Sequence, residues 1–121
     1  MVSGSMNNDK NDCAVYAVAF TCHCDPDVAR FQLWRAGRDH ADGATDAQIA
    51  RAVRKLGRTM RRVSTACPTV RTFSRIHTAG TFLVTTTDHV VAVVDGRVCD
   101  KNTESDLLRI EKVHRIQLTP V

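Results

Sequence analysis

The chain has no apolar run long enough to cross a membrane. The longest, Cys13 to Phe20, covers 8 residues, far below the ~20 that a helical span needs. Met1 to Lys10 is polar and lacks the apolar stretch of a signal peptide. There is no repeat and no low-complexity linker. Acidic residues are missing from the whole segment 47–87, which carries eight basic side chains. Cysteine pairing is excluded for at least one thiol, because the count of 5 is odd. With no leader, a reducing, cytoplasmic setting and free thiols are expected rather than a disulfide framework.

What remains is an ordinary globular composition, 43% hydrophobic and 25% charged in 121 residues. That is one domain over 1–121, with residues 1–6 expected to lie outside the ordered part. A chain of this length buries roughly two-thirds of its unfolded surface and needs no staples. The net charge of +4 comes from the middle third. Arg51, Arg54, Lys55, Arg58, Arg61 and Arg62 form a basic patch that would suit nucleic acid or an acidic partner. No nucleic-acid-binding motif accompanies them, so a solvated helix face ranks ahead of that reading.

Helical signals come first. Asn11-Asp12 supplies two capping residues before the apolar Cys13–Thr21, which reads as a buried central helix. Asp25-Pro26-Asp27 opens a second helix, with Val28, Phe31, Leu33 and Trp34 as its apolar stripe and Gly37 as its stop. Trp34 is expected in the core. Thr45-Asp46-Ala47-Gln48 is a capping box for a third helix that buries Ile49, Ala52, Val53 and Leu56 and stops at Gly57. Met60–Val63 has short-strand character. A short helix after Pro68 is expected to bury Val70, Phe73 and Ile76 and to end at Gly80. Then come the β-branched runs Thr81–Thr87 and His89–Val94, the turn Asp95-Gly96, a return strand Arg97–Asp100, and a last strand Val113–Leu118. Helices followed by antiparallel strands define an α+β protein, N-terminal helices packed on a C-terminal antiparallel sheet.

Two residues carry the chemistry. Cys13 opens the apolar helix, where unpaired amides and the dipole favour a thiolate. The plain alternative is a small core residue. His89 begins an apolar strand. A two-residue turn at Asp95-Gly96 sets Val94 opposite Arg97, Val91 opposite Asp100 and His89 opposite Asn102. Alternation then puts His89, Val91, Val93, Val98, Asp100 and Asn102 on one face. Asp100 is a diagonal neighbour of His89, roughly 7–8 Å away along the backbone, close enough to orient the imidazole. Asn102 is the second candidate for that role. Asp95 is roughly 20 Å along the strand and cannot serve; Asp88 points to the other face. Side-chain amides before Cys13, namely Asn7, Asn8 and Asn11, are candidate oxyanion donors, with Asn11 also a helix cap.

Asn11-Asp12-Cys13 at the head of an apolar helix, followed late in the chain by the His89–Asp100 hairpin, resembles the papain-like cysteine peptidase superfamily, in particular its compact leader-trimming and phage-type domains. The resemblance covers most of the chain in layout. It implies a papain-like fold and hydrolysis of a peptide or isopeptide bond through a thioester, without a cofactor. Cys13 would be the nucleophile, His89 the base and Asp100 its orienting partner. Asn7 would be the oxyanion donor, with Asn8 second. It also implies a peptide or protein substrate, with a viral or phage role acting on a host as one version. Ala14 stands where papain has Trp and the leader-trimming domains have Gly, and Asn7 stands where the family has Gln. A catalytically inactive module that binds a protein or nucleic-acid partner through the basic segment is the alternative. Cys22-His23-Cys24, with Cys67 and His77, is a candidate zinc set, but a plain interhelical loop is preferred because structural zinc sites use spaced pairs.

Overall fold

The computed structural model describes residues 12–39, 43–87, 89–99 and 107–119. Four helices and five strands follow in chain order: α1 (Cys13–Cys22), α2 (Pro26–Arg35), α3 (Asp46–Lys55), β1 (Arg58–Val63), α4 (Val70–Ile76), β2 (Thr81–Thr86), β3 (His89–Val94), β4 (Arg97–Cys99) and β5 (Ile110–Leu118). The strands form one antiparallel sheet in the order β1-β5-β2-β3-β4. The protein is thus α+β. The segregation is incomplete, since β1 precedes α4 and pairs along its whole length with the last strand.

Helices cover both faces of the sheet. On one face, α1 packs on β3 and β2 and against α2 and α3. Ala14, Val15, Ala17, Val18, Ala19 and Cys22 of α1 join Ala29, Leu33, Ile49, Ala52, Val53, Leu83 and Ile116 in one core cluster. An apolar circumference suits α1 to this central position, because helix and sheet surround it. On the other face, Val70 and Phe73 of α4 pack with Phe82, Val84, Val91, Val93 and Val113. The Phe73 and Phe82 rings meet edge to face at 5.0 Å, the arrangement that aromatic quadrupoles favour.

Most boundaries follow local chemistry. Thr45 accepts a hydrogen bond from the Gln48 amide at 3.2 Å while its own amide donates to Gln48 Oε1 at 3.0 Å, so the capping box is complete. Gly37, at φ +109°, ends α2. Its amide donates to the Trp34 carbonyl and that of Arg38 to the Leu33 carbonyl, the reciprocal pair that a left-handed residue makes possible. Asp95 and Gly96 both have positive φ, as the tight hairpin turn requires.

Several expectations are corrected. Asp12 and Asp25 hold the N-cap positions of α1 and α2 but make no side-chain cap hydrogen bond; Asn11 lies outside the described residues. On α2 the buried positions are Ala29, Arg30 and Leu33. Val28, Phe31 and Trp34 face solvent, with Trp34 57% exposed. A run of apolar side chains at mixed spacing does not say which arc of a helix meets the core, and the small Ala29 allows the closer approach to α1. Ile76 is exposed. Helix α4 ends at Ile76 with His77 as its cap, so Gly80 (φ +105°) belongs to the turn entering β2. There its amide donates to the Asp95 carboxylate at 3.0 Å, and its carbonyl accepts the Asp95 amide at 2.9 Å. No helix among the described residues is long and apolar enough to cross a membrane.

Candidate active site

Cys13 is the first residue of α1 and is half-buried. The first helical hydrogen bond runs from the Tyr16 amide to the Asp12 carbonyl at 3.2 Å. The amides of Cys13, Ala14 and Val15 therefore have no helical acceptor. They form the positive end of a helix seated on the sheet.

His89 is the first residue of β3. The Thr86 hydroxyl donates to its carbonyl at 3.2 Å, which fixes the strand entry to β2. Cys13, Ala14 and His89 line one cleft of about 440 Å³, together with Gly43, Ala44, Thr85, Thr86, Val90 and Glu111. Residues 13 and 89, far apart in the chain, thus border one cleft. The hairpin register is the expected one as far as it is described, with Val94 opposite Arg97, Val93 opposite Val98 and Ala92 opposite Cys99. Val91 and Val93 belong to the α4-side cluster, whereas Val90 packs towards α1. By alternation His89 starts on the register of Val91. The cleft consequently wraps around the end of β3 rather than lying wholly on the α1 face.

Asp100, Asn102, Asp88, Asn7 and Asn8 lie outside the described residues. Asp95 is held at the opposite end of the hairpin by Gly80, as its distance along the strand requires.

Sequence reasoning missed Glu111. The β2–β5 register shifts between Thr85 and Thr86, so that Thr85 opposes Lys112 while Thr86 opposes Ile110. Glu111 is the extra residue of this bulge, and bulges re-aim side chains. It lines the cleft, and its Oε2 accepts the Thr87 hydroxyl at 3.0 Å. Nothing in the local sequence marks it, because the bulge depends on the pairing of two distant strands. Gly43 and Ala44, from the loop before α3, close the other side.

All five cysteines are free thiols. Burial pushes the thiols of Cys22, Cys24 and Cys99 up, towards the unreactive protonated form. Cys22 is in the α1-side core, with Cys24 packed against it, whereas Cys67 packs in the α4-side cluster. His77 stacks on Phe73 of that cluster at 4.1 Å. The sheet separates the two sets, and the described residues contain no group of three or more His, Cys, Asp or Glu placed to hold a metal ion. Cys99 is half-buried on edge strand β4.

The basic patch divides. Arg51, Arg54 and Lys55 line a groove between α2 and α3. Arg61 and Arg62 are exposed on the edge strand β1. Arg58 donates to the Leu56 carbonyl at 2.8 Å. Comparison with known proteins finds no matching family model, no matching curated protein and no matching solved structure.

Proposed function

We propose that the protein is a papain-like cysteine hydrolase acting on a peptide or isopeptide bond. The observation that carries this reading is that Cys13, at the head of a buried helix, and His89, at the head of a strand, line the same cleft. His89 takes the proton from Cys13 Sγ, and the thiolate attacks the substrate carbonyl carbon. The carbonyl oxygen becomes an oxyanion, which the first-turn amides of α1 stabilise, with Asn7 as the side-chain donor. As the tetrahedral species collapses, His89 returns the proton to the leaving amine and a thioester remains. Water, deprotonated by His89, attacks the thioester, the acid departs and Cys13 is regenerated. Asp100 orients His89 throughout.

An activated acyl ester, such as a nitrophenyl ester of a short peptide, tests the reaction directly. Intact-mass analysis should find one acyl group, located on Cys13, with turnover on continued incubation. Cys13→Ala should abolish the adduct, and His89→Ala should slow its formation by about 10² or more. Acylation spread across Cys24, Cys67 and Cys99, or indifferent to His89, would contradict the proposal.

A further inference from the structure

A second surface, distinct from the cleft, has the composition of a ligand site. Gln32, Arg35 and Ala36 of the α2 end and Arg51, Arg54 and Lys55 of α3 line a groove of about 160 Å³. Four cations converge on it and no carboxylate lines it. The ion pairs Arg30–Asp27 and Lys112–Asp46 lie elsewhere. The C-terminal helix dipoles tolerate Arg35, Arg54 and Lys55, which sit in last turns. Arg51 lies a turn earlier, and its i,i+3 and i,i+4 relations to Arg54 and Lys55 are like-charge pairs that weaken an isolated helix. An anion in the groove turns that repulsion into attraction.

The groove continues into an aromatic shelf. The guanidinium of Arg35 lies over the Phe31 ring, 5.9 Å from its centroid. Phe31 in turn neighbours Trp34, with ring centroids 6.1 Å apart and planes tilted by 35°. Both rings are more than half exposed, at 51% and 57%, and neither contributes to the core. A guanidinium-rich groove beside solvent-facing rings is the pairing that single-stranded nucleic acid uses, with phosphates on the cations and bases on the rings. An acidic peptide would use the cations alone and leave the rings idle.

We infer that the α2–α3 groove and the Phe31–Trp34 shelf bind single-stranded nucleic acid, with successive phosphodiesters on the four cations of the groove and a base stacked on Trp34. The contact is independent of the cysteine cleft.

Trp34 is the only tryptophan in the chain, so its emission reports the contact without a label. A single-stranded oligonucleotide titrated at low salt should quench it saturably. The logarithm of the affinity should fall against log salt with a slope of about −3, as four neutralised phosphates predict for a single strand. By anisotropy of a fluorescent oligonucleotide, Trp34→Ala should weaken binding about tenfold. The double substitution Arg51→Glu with Arg54→Glu should weaken it more and flatten the salt slope. All three side chains are exposed, and unchanged circular dichroism would certify the folds. Full affinity in the Arg51→Glu/Arg54→Glu variant would overturn the inference. So would binding that leaves Trp34 emission unchanged. Oligoglutamate of equal charge binding as tightly as the oligonucleotide would assign the groove to an acidic protein instead.

Discussion

At the residue scale, Cys13 is set apart from the other thiols by position. It stands at a helix N-terminus and opens onto a cleft, whereas burial raises the thiols of Cys22, Cys24 and Cys99. Reactivity follows the thiolate fraction, so a limiting electrophile at neutral pH should label Cys13 ahead of these three, read by peptide mapping. Another residue-scale expectation concerns Gly96. It has φ +81°, and a Cβ there would come within 3.2 Å of the Ser74 carbonyl oxygen and the Thr78 Cα. Gly96→Ala should therefore destabilise the protein by about 1–3 kcal/mol in urea unfolding, and an unchanged midpoint would contradict this turn geometry. The turn was readable because Asp-Gly has one dominant use between β-branched runs. Glu111 was not readable, because it reaches the cleft through a bulge that only the assembled sheet defines.

At the element scale, the legible helices were those whose ends carry their own chemistry. Thr45 and Gln48 announce α3, and Gly37 announces the end of α2. Thr45→Ala should cost about 1 kcal/mol, the usual worth of such a cap. Asp12 illustrates the opposite case, a good capping residue by type that makes no side-chain cap bond. The buried arc of α2 is not legible from Val28, Phe31 and Trp34, because apolarity alone does not set which side of a helix is buried. Ala29 and Leu33 hold α2 against α1, and the larger side chains point outward. Trp34→Ala should consequently change stability by no more than about 0.5 kcal/mol, as for an ordinary surface substitution. The same substitution at buried Phe73, in the cluster beneath α4, should cost about 3–5 kcal/mol.

At the scale of the whole molecule, the sheet is the common partner of every helix layer, and its interior strand β5 holds a buried titratable group. His114 of β5 is only 9% exposed, and its Nδ1 is buried without a hydrogen-bond partner among the described residues. Burial holds its pKa below the ordinary value, with Arg62 and Lys112 adding to the effect and Asp46 opposing it. In the unfolded chain this imidazole titrates near about 6.5. Between that value and its lower folded value, the unfolded chain binds more protons, so stability is full above pH ~6.5 and falls as the pH drops through the folded value. His114→Leu should remove part of the acid sensitivity of the urea midpoint between about pH 7.5 and 5.5. A wild-type slope retained in the variant would assign that sensitivity elsewhere. At this scale the α+β architecture was legible from the order of helical and β-branched segments. The placement of α4 on the far face was not, since neither periodicity nor turn chemistry says which side of a sheet a crossing helix takes.

In the proposed hydrolase Cys13 and His89 act as a pair across one cleft. The pH profile of iodoacetamide alkylation, resolved cysteine by cysteine in the native protein and in His89→Ala, tests it most directly. A thiolate–imidazolium pair predicts rapid alkylation of Cys13 at about pH 6, lost when His89 is removed. Alkylation of Cys13 that sets in only near the ordinary thiol range, about pH 8.5, and is the same with and without His89, would contradict the pair and with it the proposed hydrolase.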